Sequence, residues 1–377
     1  MNPFSLKELR IGDLVASTPI IQGGMGVGIS LSGLASAVAN EGGIGVIATA
    51  GIGMSEPDFY KDFVGANSSA LRREIRRARV LTRGIIGINV LVALSNFAEL
   101  VTTAIEEEID IVFSGAGLPL DLPKFLKGNK KTKLVPIVSS ARAARVICRR
   151  WLEKYDYVPD AVVVEGPKAG GHLGFRPEQI DDPAFALESL VPQVIREIRA
   201  IENKCNTTIP VVAAGGLYTG EDILKFMHLG AAGVQMATRF VTTHECDASI
   251  EFKRSYIDCR KEDTVIIASP VGMPGRAIRN RFVDDIIEGR RKPFKCPYHC
   301  IRTCNCESSP YCIAMALTNA KKGRLHQGFA FAGANAYRAS ELISVHELMQ
   351  SIAAEYEDAV IRSTANMQPI EELPSSR

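Results

Sequence analysis

The sequence predicts an α/β protein: a (β/α)8 TIM barrel with a C-terminal extension that carries a cysteine cluster. Three observations predict it. Short apolar runs alternate with helical stretches along the first 240 or so residues. The runs are rich in Val and Ile without polar alternation, as in parallel strands covered on both faces. Glycines and a few polar side chains gather just after the runs, at the end where such barrels keep their chemistry. A length of 377 residues accommodates one barrel of roughly 250 residues and an appendage.

In chain order, the spacing predicts strands at Pro19–Gln22, Ile44–Ala48, Ile85–Val90, Ile111–Phe113, Leu134–Val138, Ala161–Val164, Ile209–Ala213 and Gly233–Met236. Helices are predicted between them at Ser32–Glu41, Ser69–Val80, Asn96–Glu108, Ala141–Lys154, Leu187–Glu202 and Gly220–Leu229. Strand–helix alternation requires right-handed crossovers and a parallel sheet, and eight units favour closure over an open sheet. Residues 1–242 are thus expected to form the barrel, and 243–325 an inserted or appended cap with the cysteines. Residues 326–377 are expected to pack back on the barrel, with a frayed tail rich in Glu, Pro and Ser.

Composition narrows the partners. Lys+Arg 44 against Asp+Glu 42 leaves a net charge of +2, without the strongly basic surface that nucleic acid requires. No apolar run approaches the length of a membrane span. The first residues, Met1 to Lys7, lack a basic segment followed by an apolar one, which fits a cytoplasmic protein. The expected partners are a small-molecule substrate and a second copy of the chain in a homodimer.

The segment from Val162 to Gly174 carries the most chemistry. A buried Val run ends in Glu165, and a loop of small residues follows with His172 near its end. Imidazole is the side chain suited to moving protons near neutral pH. A loop histidine satisfied beside a glycine turn is the competing reading of His172 alone. Other strand ends add Gln22-Gly23-Gly24-Met25, Asn89, Gly215-Gly216 and Gln235-Met236-Ala237-Thr238. Glycines after the seventh and eighth strands, with a helix starting at Thr219-Gly220-Glu221, are the parts of a phosphate cradle. The Pro- and Gly-dense stretch Ser269–Ile278 is expected to be a shaped loop over the site, excluded from helix or central strand. Its Arg276 either meets an acidic group on a substrate or nicotinamide nucleotide, or pairs on the surface.

Pro19 to Met25, Glu165 with Ala169-Gly170-Gly171-His172, Ala213 to Gly216 and Gly233 to Phe240 together resemble the nitronate monooxygenase family, formerly the 2-nitropropane dioxygenases. That group includes the flavin-dependent enoyl-ACP reductases. The resemblance covers roughly residues 10 to 280. It implies a barrel that binds FMN non-covalently, with Gly23, Gly24 and Met25 near the flavin and Asn89 on its polar edge. Gly215, Gly216, Gln235, Ala237 and Thr238 would hold the phosphate, and Glu165 and Gly171 count among the cofactor-binding residues. His172 takes the place of the active-site histidine, a general base in the nitronate oxidisers. Three activities follow. FMN-dependent oxidation of alkyl nitronates with O2 comes first. NAD(P)H-dependent reduction of activated alkenes such as enoyl-ACP, or of quinones, is the second, and a flavin- or metal-binding accessory subunit the third. Two departures stand out: Ala237 replaces the Gly of many relatives, and Lys168 replaces an acidic residue. A cation at Lys168 is expected to lower the pKa of His172.

Five of the nine cysteines fall within Cys296–Cys312, spaced C-x3-C-x3-C-x-C-x5-C. In a reducing compartment clustered thiols read as metal ligands before disulfides. Cys296, Cys300, Cys304 and Cys312 are the expected ligands, with Cys306 and His299 as substitutes, for an iron–sulfur cluster or zinc. Unliganded, redox-labile thiols are the alternative. After them a helix is expected at Ile313–Lys322, and Gly328–Arg338 is expected to pack on the barrel mouth through its aromatics.

Overall fold

A computed structural model describes residues 6–290, 292, 294–296 and 298–365; the expected frayed tail lies outside them. Eight parallel strands form the central sheet: β1 (Ile20–Gln22), β2 (Gly45–Ala48), β3 (Ile86–Leu91), β4 (Ile111–Gly115), β5 (Lys133–Val138), β6 (Val162–Glu165), β7 (Val211–Ala214) and β8 (Gly233–Met236). Their spatial order is β1-β8-β7-β6-β5-β4-β3-β2. The ring closes where the Gln22 N–H donates to the Ile44 carbonyl and the Ile44 N–H to that of Ile20, both at 2.9 Å. The expected (β/α)8 barrel is present, with every predicted strand in place to within two residues at either end.

Alternate residues of the strands explain why the sheet closes. Ile21, Val46, Phe113, Val135, Val163 and Val212 point inward and fill the barrel with bulky side chains. Ile20, Ile47, Ile88, Val112, Val162 and Val234 belong to the outer layer packed under the helices. Both sets are buried, so neither face shows polar alternation. A short hairpin, Leu9–Ile11 with Leu14–Ala16, adds Leu9 and Ile11 to the interior cluster.

The outer layer contains α1 (Ser32–Asn40), α2 (Phe63–Leu81), α3 (Phe97–Glu106), α4 (Ala141–Tyr155), α5 (Leu187–Cys205) and α6 (Gly220–His228). The predicted start of α2 is six residues late, because Asp62 caps it by accepting the Gly65 N–H. Only a 3-10 turn, Leu122–Phe125, follows β4. After β8 comes the four-residue α7 (Thr238–Val241), and the eighth outer position is filled from far along the chain. Beyond α8 (Ile250–Ile257), β9 (Thr264–Ala268), β10 (Pro274–Ile278), α9 (Arg281–Ile287) and α10 (Ile313–Lys321), α11 (Val345–Ala365) packs against α6 and α1. The approach is close: a Cβ at Gly220 would lie 2.1 Å from the Tyr356 backbone nitrogen. An ion pair between Arg239 and Glu355 at 3.0 Å fixes the same contact.

The segment 269–278 departs from expectation. Rather than a loop throughout, β9 and β10 form an antiparallel hairpin, and β10 is the middle strand of three, pairing with Gly171–His172. Pro274 is tolerated because it opens the strand, where its carbonyl accepts from Leu173 at 2.9 Å and no N–H is required. No helix among the described residues is long and apolar enough to cross a membrane.

Candidate active site

Two adjoining cavities of about 780 and about 210 Å3 open at the carboxyl ends of the strands. Gly24, Glu165, Gly170, Gly171, Gln235 and Phe331 border both. His172 and all eleven residues assigned to the flavin line one or the other. They come from β1, β3, β6, β7 and β8, so barrel closure itself gathers them.

The smaller cavity is built from glycine. Gly215 and Gly216 have φ of +89° and +102°, a region L side chains rarely occupy. A Cβ on Gly215 would stand 2.7 Å from the Gly166 carbonyl. Gly23, Met25, Ala237 and Thr238 complete the wall. Ala237 sits at φ −126°, so its methyl is accommodated without strain. A Cβ on Gly24 would come within 2.4 Å of the Asn89 Cβ, which brings the ends of β1 and β3 into contact beneath both cavities.

One part of the expected phosphate cradle is otherwise engaged. Amides at the start of α6 are already satisfied: Tyr218 and Thr219 donate to Asp222, and Gly220 donates to Glu355 of α11 at 2.9 Å. The N-terminus of α6 therefore caps itself, and an anion is left to the Gly215–Gly216 turn and Thr238.

His172 stands on the wall of the larger cavity. Its Nε2 lies 2.6 Å from Ser269 Oγ, and the ring meets Phe331 edge-on with centroids 5.0 Å apart. Burial pushes its pKa down to about 4, so the imidazole is neutral at physiological pH. The lowering expected from Lys168 has a different cause. Lys168 is exposed and packs its stem by Gly216 on the other cavity, and desolvation alone shifts His172. Glu165, where the two cavities meet, carries no ion pair among the described residues, and burial raises its carboxyl to about 7. Arg276 does not line either cavity; its Nη2 donates to the Pro167 carbonyl at 2.9 Å and braces the histidine loop.

A model of the nitronate monooxygenase family matches residues 8–107 and 95–355. The chain belongs to the nitronate monooxygenase family. It is therefore an oxidoreductase. A probable nitronate monooxygenase of Staphylococcus aureus is 28% identical over 293 residues, 71% of this chain and 77% of that protein. A Mycobacterium tuberculosis enzyme, (3aS,4S,5R,7aS)-5-hydroxy-7a-methyl-1-oxo-octahydro-1H-indene-4-carboxyl-CoA dehydrogenase, is 28% identical over 273 residues. That match spans 72% of this chain and 66% of the enzyme, just under two thirds of its length. FabK from Thermotoga maritima superposes with a TM-score of 0.72 at 29% identity, covering 93% of this chain and 96% of that one. A nitroalkane oxidase from Streptomyces ansochromogenes, at 24% identity and TM-score 0.70, covers 94% and 98% and shares the fold.

This nitronate monooxygenase family member adds cavity residues that spacing alone did not single out. Ser269 reaches His172 from the β9–β10 turn. Asn335 Nδ2 donates to the Gly216 carbonyl at 2.7 Å, and Phe331 borders both cavities. Asn335 and Phe331 both lie in Gly328–Arg338, whose small and aromatic residues point only to packing on the mouth.

The cysteine segment lies across the mouth. Leu94 bridges to Ile301, the Ser95 N–H donates to the Cys300 carbonyl at 3.1 Å, and the Arg302 N–H to that of Ala93 at 2.9 Å. Cys296, Cys300 and Cys312 face the larger cavity, and Cys304 packs beneath. Burial, with Cys312, Cys296 and Cys304 nearby, pushes the Cys300 thiol up to about 12. The expected metal centre is not assembled: among the described residues no three His, Cys, Asp or Glu side chains are grouped to hold an ion. The bridge of Ile301 to Leu94 and the stacking of Tyr298 on Phe63 fix where the segment runs, which spacing alone does not determine.

Proposed function

We propose that the chain is an FMN-dependent oxidoreductase that oxidises alkyl nitronates with O2, with His172 as the base. The observation that carries this reading is a neutral imidazole, held by Ser269, on the wall of a cavity that adjoins a glycine-built anion pocket. The pocket suits FMN: positive-φ glycines leave room for a phosphate, and the adjoining space suits a flat ring. Gly215, Gly216, Ala237 and Thr238 would hold the phosphate, and Gly23, Gly24, Met25, Asn89, Gln235, Glu165 and Gly171 the rest. Bound FMN supplies the electron acceptor and the route to O2. The chain's own part is proton transfer and orientation. Neutral His172 accepts a proton from the carbon beside a nitro group, converting bound nitroalkane to nitronate. Ser269 fixes the ring, and Phe331 limits its swing.

The size and apolar wall of the larger cavity, the likeness to FabK, and a relative named for a fused-ring carboxyl-CoA substrate favour a second reading. In it NAD(P)H is the reductant and an activated alkene or quinone the acceptor. Anaerobic mixing separates the two. The first reading expects an alkyl nitronate to bleach the flavin while NADH and NADPH do not; bleaching by a nicotinamide alone reverses the assignment.

A further inference from the structure

Among the buried polar side chains on the wall of the larger cavity, one is left without a hydrogen-bond partner. It is Asn96, only 3% exposed, whose Nδ2 has no partner among the described residues. Its place in the fold makes this unusual. Asn96 is the N-cap residue of α3, where an Asn side chain ordinarily accepts from a first-turn amide, yet it makes no cap hydrogen bond. The backbone just before it is paired with the cysteine segment through Leu94 and Ser95, which fixes the residue at the wall but not its side-chain amide. A buried donor without an acceptor is destabilising, and native proteins pair nearly all of them. A rotation about Cβ–Cγ, a soft torsion in Asn, brings that donor to a ligand in the cavity. The wall around it includes Met54, Leu91, Leu118, Ile137, Met273 and Met315. An amide donor in such a wall selects an uncharged or delocalised oxygen over a localised carboxylate, and about 780 Å3 is the room of a large ligand.

We propose that Asn96 is a substrate-binding residue whose Nδ2 donates to a single sp2 oxygen, carbonyl or nitronate, of a bulky and otherwise apolar substrate. This rests on the reading of the larger cavity as the substrate side. The test uses the full chain and two probes that differ only at the acceptor: nonan-2-one, and 2-methylnon-1-ene with a methylene in place of the carbonyl oxygen. Binding is read by thermal shift on FMN-free protein and by perturbation of the flavin band on loaded protein. Wild type is expected to favour the ketone by about tenfold. Asn96→Leu is expected to bind the two equally, with an unliganded Tm no lower than wild type, since it removes an orphaned donor. Asn96→Asp at pH 8 keeps the size and can cap α3, and is likewise expected to lose the preference. A variant that keeps the wild-type preference, or a wild type that shows none, overturns the proposal. A ketone-selective thermal shift that Asn96→Leu abolishes, with no change in the flavin band, supports Asn96 and counts against the flavin reading.

Discussion

At the scale of single residues, the site is governed by two opposed shifts from one cause. Burial lowers His172 to about 4 and raises Glu165 to about 7, so each group favours its neutral form. His172 is then ready as a base at any pH above about 5. Deprotonation of Glu165 introduces a negative charge where the cavities meet, so kcat/KM for an anionic nitronate should fall as pH rises through about 7. Glu165→Gln should flatten that upper limb in a pH–rate profile; an unchanged limb would assign it elsewhere. The shifts also act on stability, with opposite signs. Folded His172 binds fewer protons than unfolded between pH 4 and 6.5, so its share of stability is lost as pH falls through that window. Folded Glu165 binds more protons between about 4.5 and 7, so its share is lost as pH rises. Urea titration of FMN-free Glu165→Gln should show stability above pH 7 higher than wild type, by on the order of 1–3 kcal/mol. His172→Asn should keep bound FMN and lose about 10²- to 10⁴-fold in kcat on nitroalkanes. Retained kcat would remove His172 from the chemistry.

At the scale of elements, the strands were legible and the partners of their loops were not. The barrel strands are buried on both faces, so their apolar runs are nearly continuous; β1, β4, β6 and β7 end at or just before a Gly, and β3 and β8 carry Asn89 and Gln235 in their C-terminal halves. That pattern places Gly24, Asn89, Glu165 and Gln235 without any long-range information. What the α6 start binds could not be read the same way, because Glu355, which takes the Gly220 amide, lies 135 residues away. Ser269 reached His172 across 97 residues for the same reason. The thiols show the limit from the other side: their spacing is local, but the course of the segment that carries them depends on backbone contacts with residues 93–95, about 200 residues away. The α6–α11 contact gives a test at this scale. Gly220→Ala puts a Cβ into the α11 backbone, so one helix must withdraw, and a loss of about 1–3 kcal/mol is expected in urea unfolding. An unchanged midpoint would mean that α11 yields freely.

At the scale of the whole molecule, the barrel is completed by the last helix among the described residues. An outer helix is missing after β8, and about a hundred residues intervene before α11 takes the position beside α6 and α1. Those intervening residues supply the roof of the site: the β9–β10 hairpin on the histidine loop, the cysteine segment on the β3 end, Gly333 against Gly170 and Thr238, and Asn335 on the Gly216 turn. Site and shell are thus coupled, since α11 anchors the return of the segment that forms the roof. Val345, Leu348, Met349 and Ile352 of α11 are each at most 6% exposed. At roughly 1.5–3 kcal/mol per large aliphatic side chain, their burial is worth on the order of 6–12 kcal/mol, comparable to the total stability of an ordinary domain of about 5–15. A chain ending at Ser344 should therefore have no cooperative urea transition and should bind no FMN, although all eight strands and every predicted flavin contact remain in it. A truncated chain that unfolds at the wild-type midpoint would show that the eight strands and the remaining outer helices suffice, and that α11 serves only the roof.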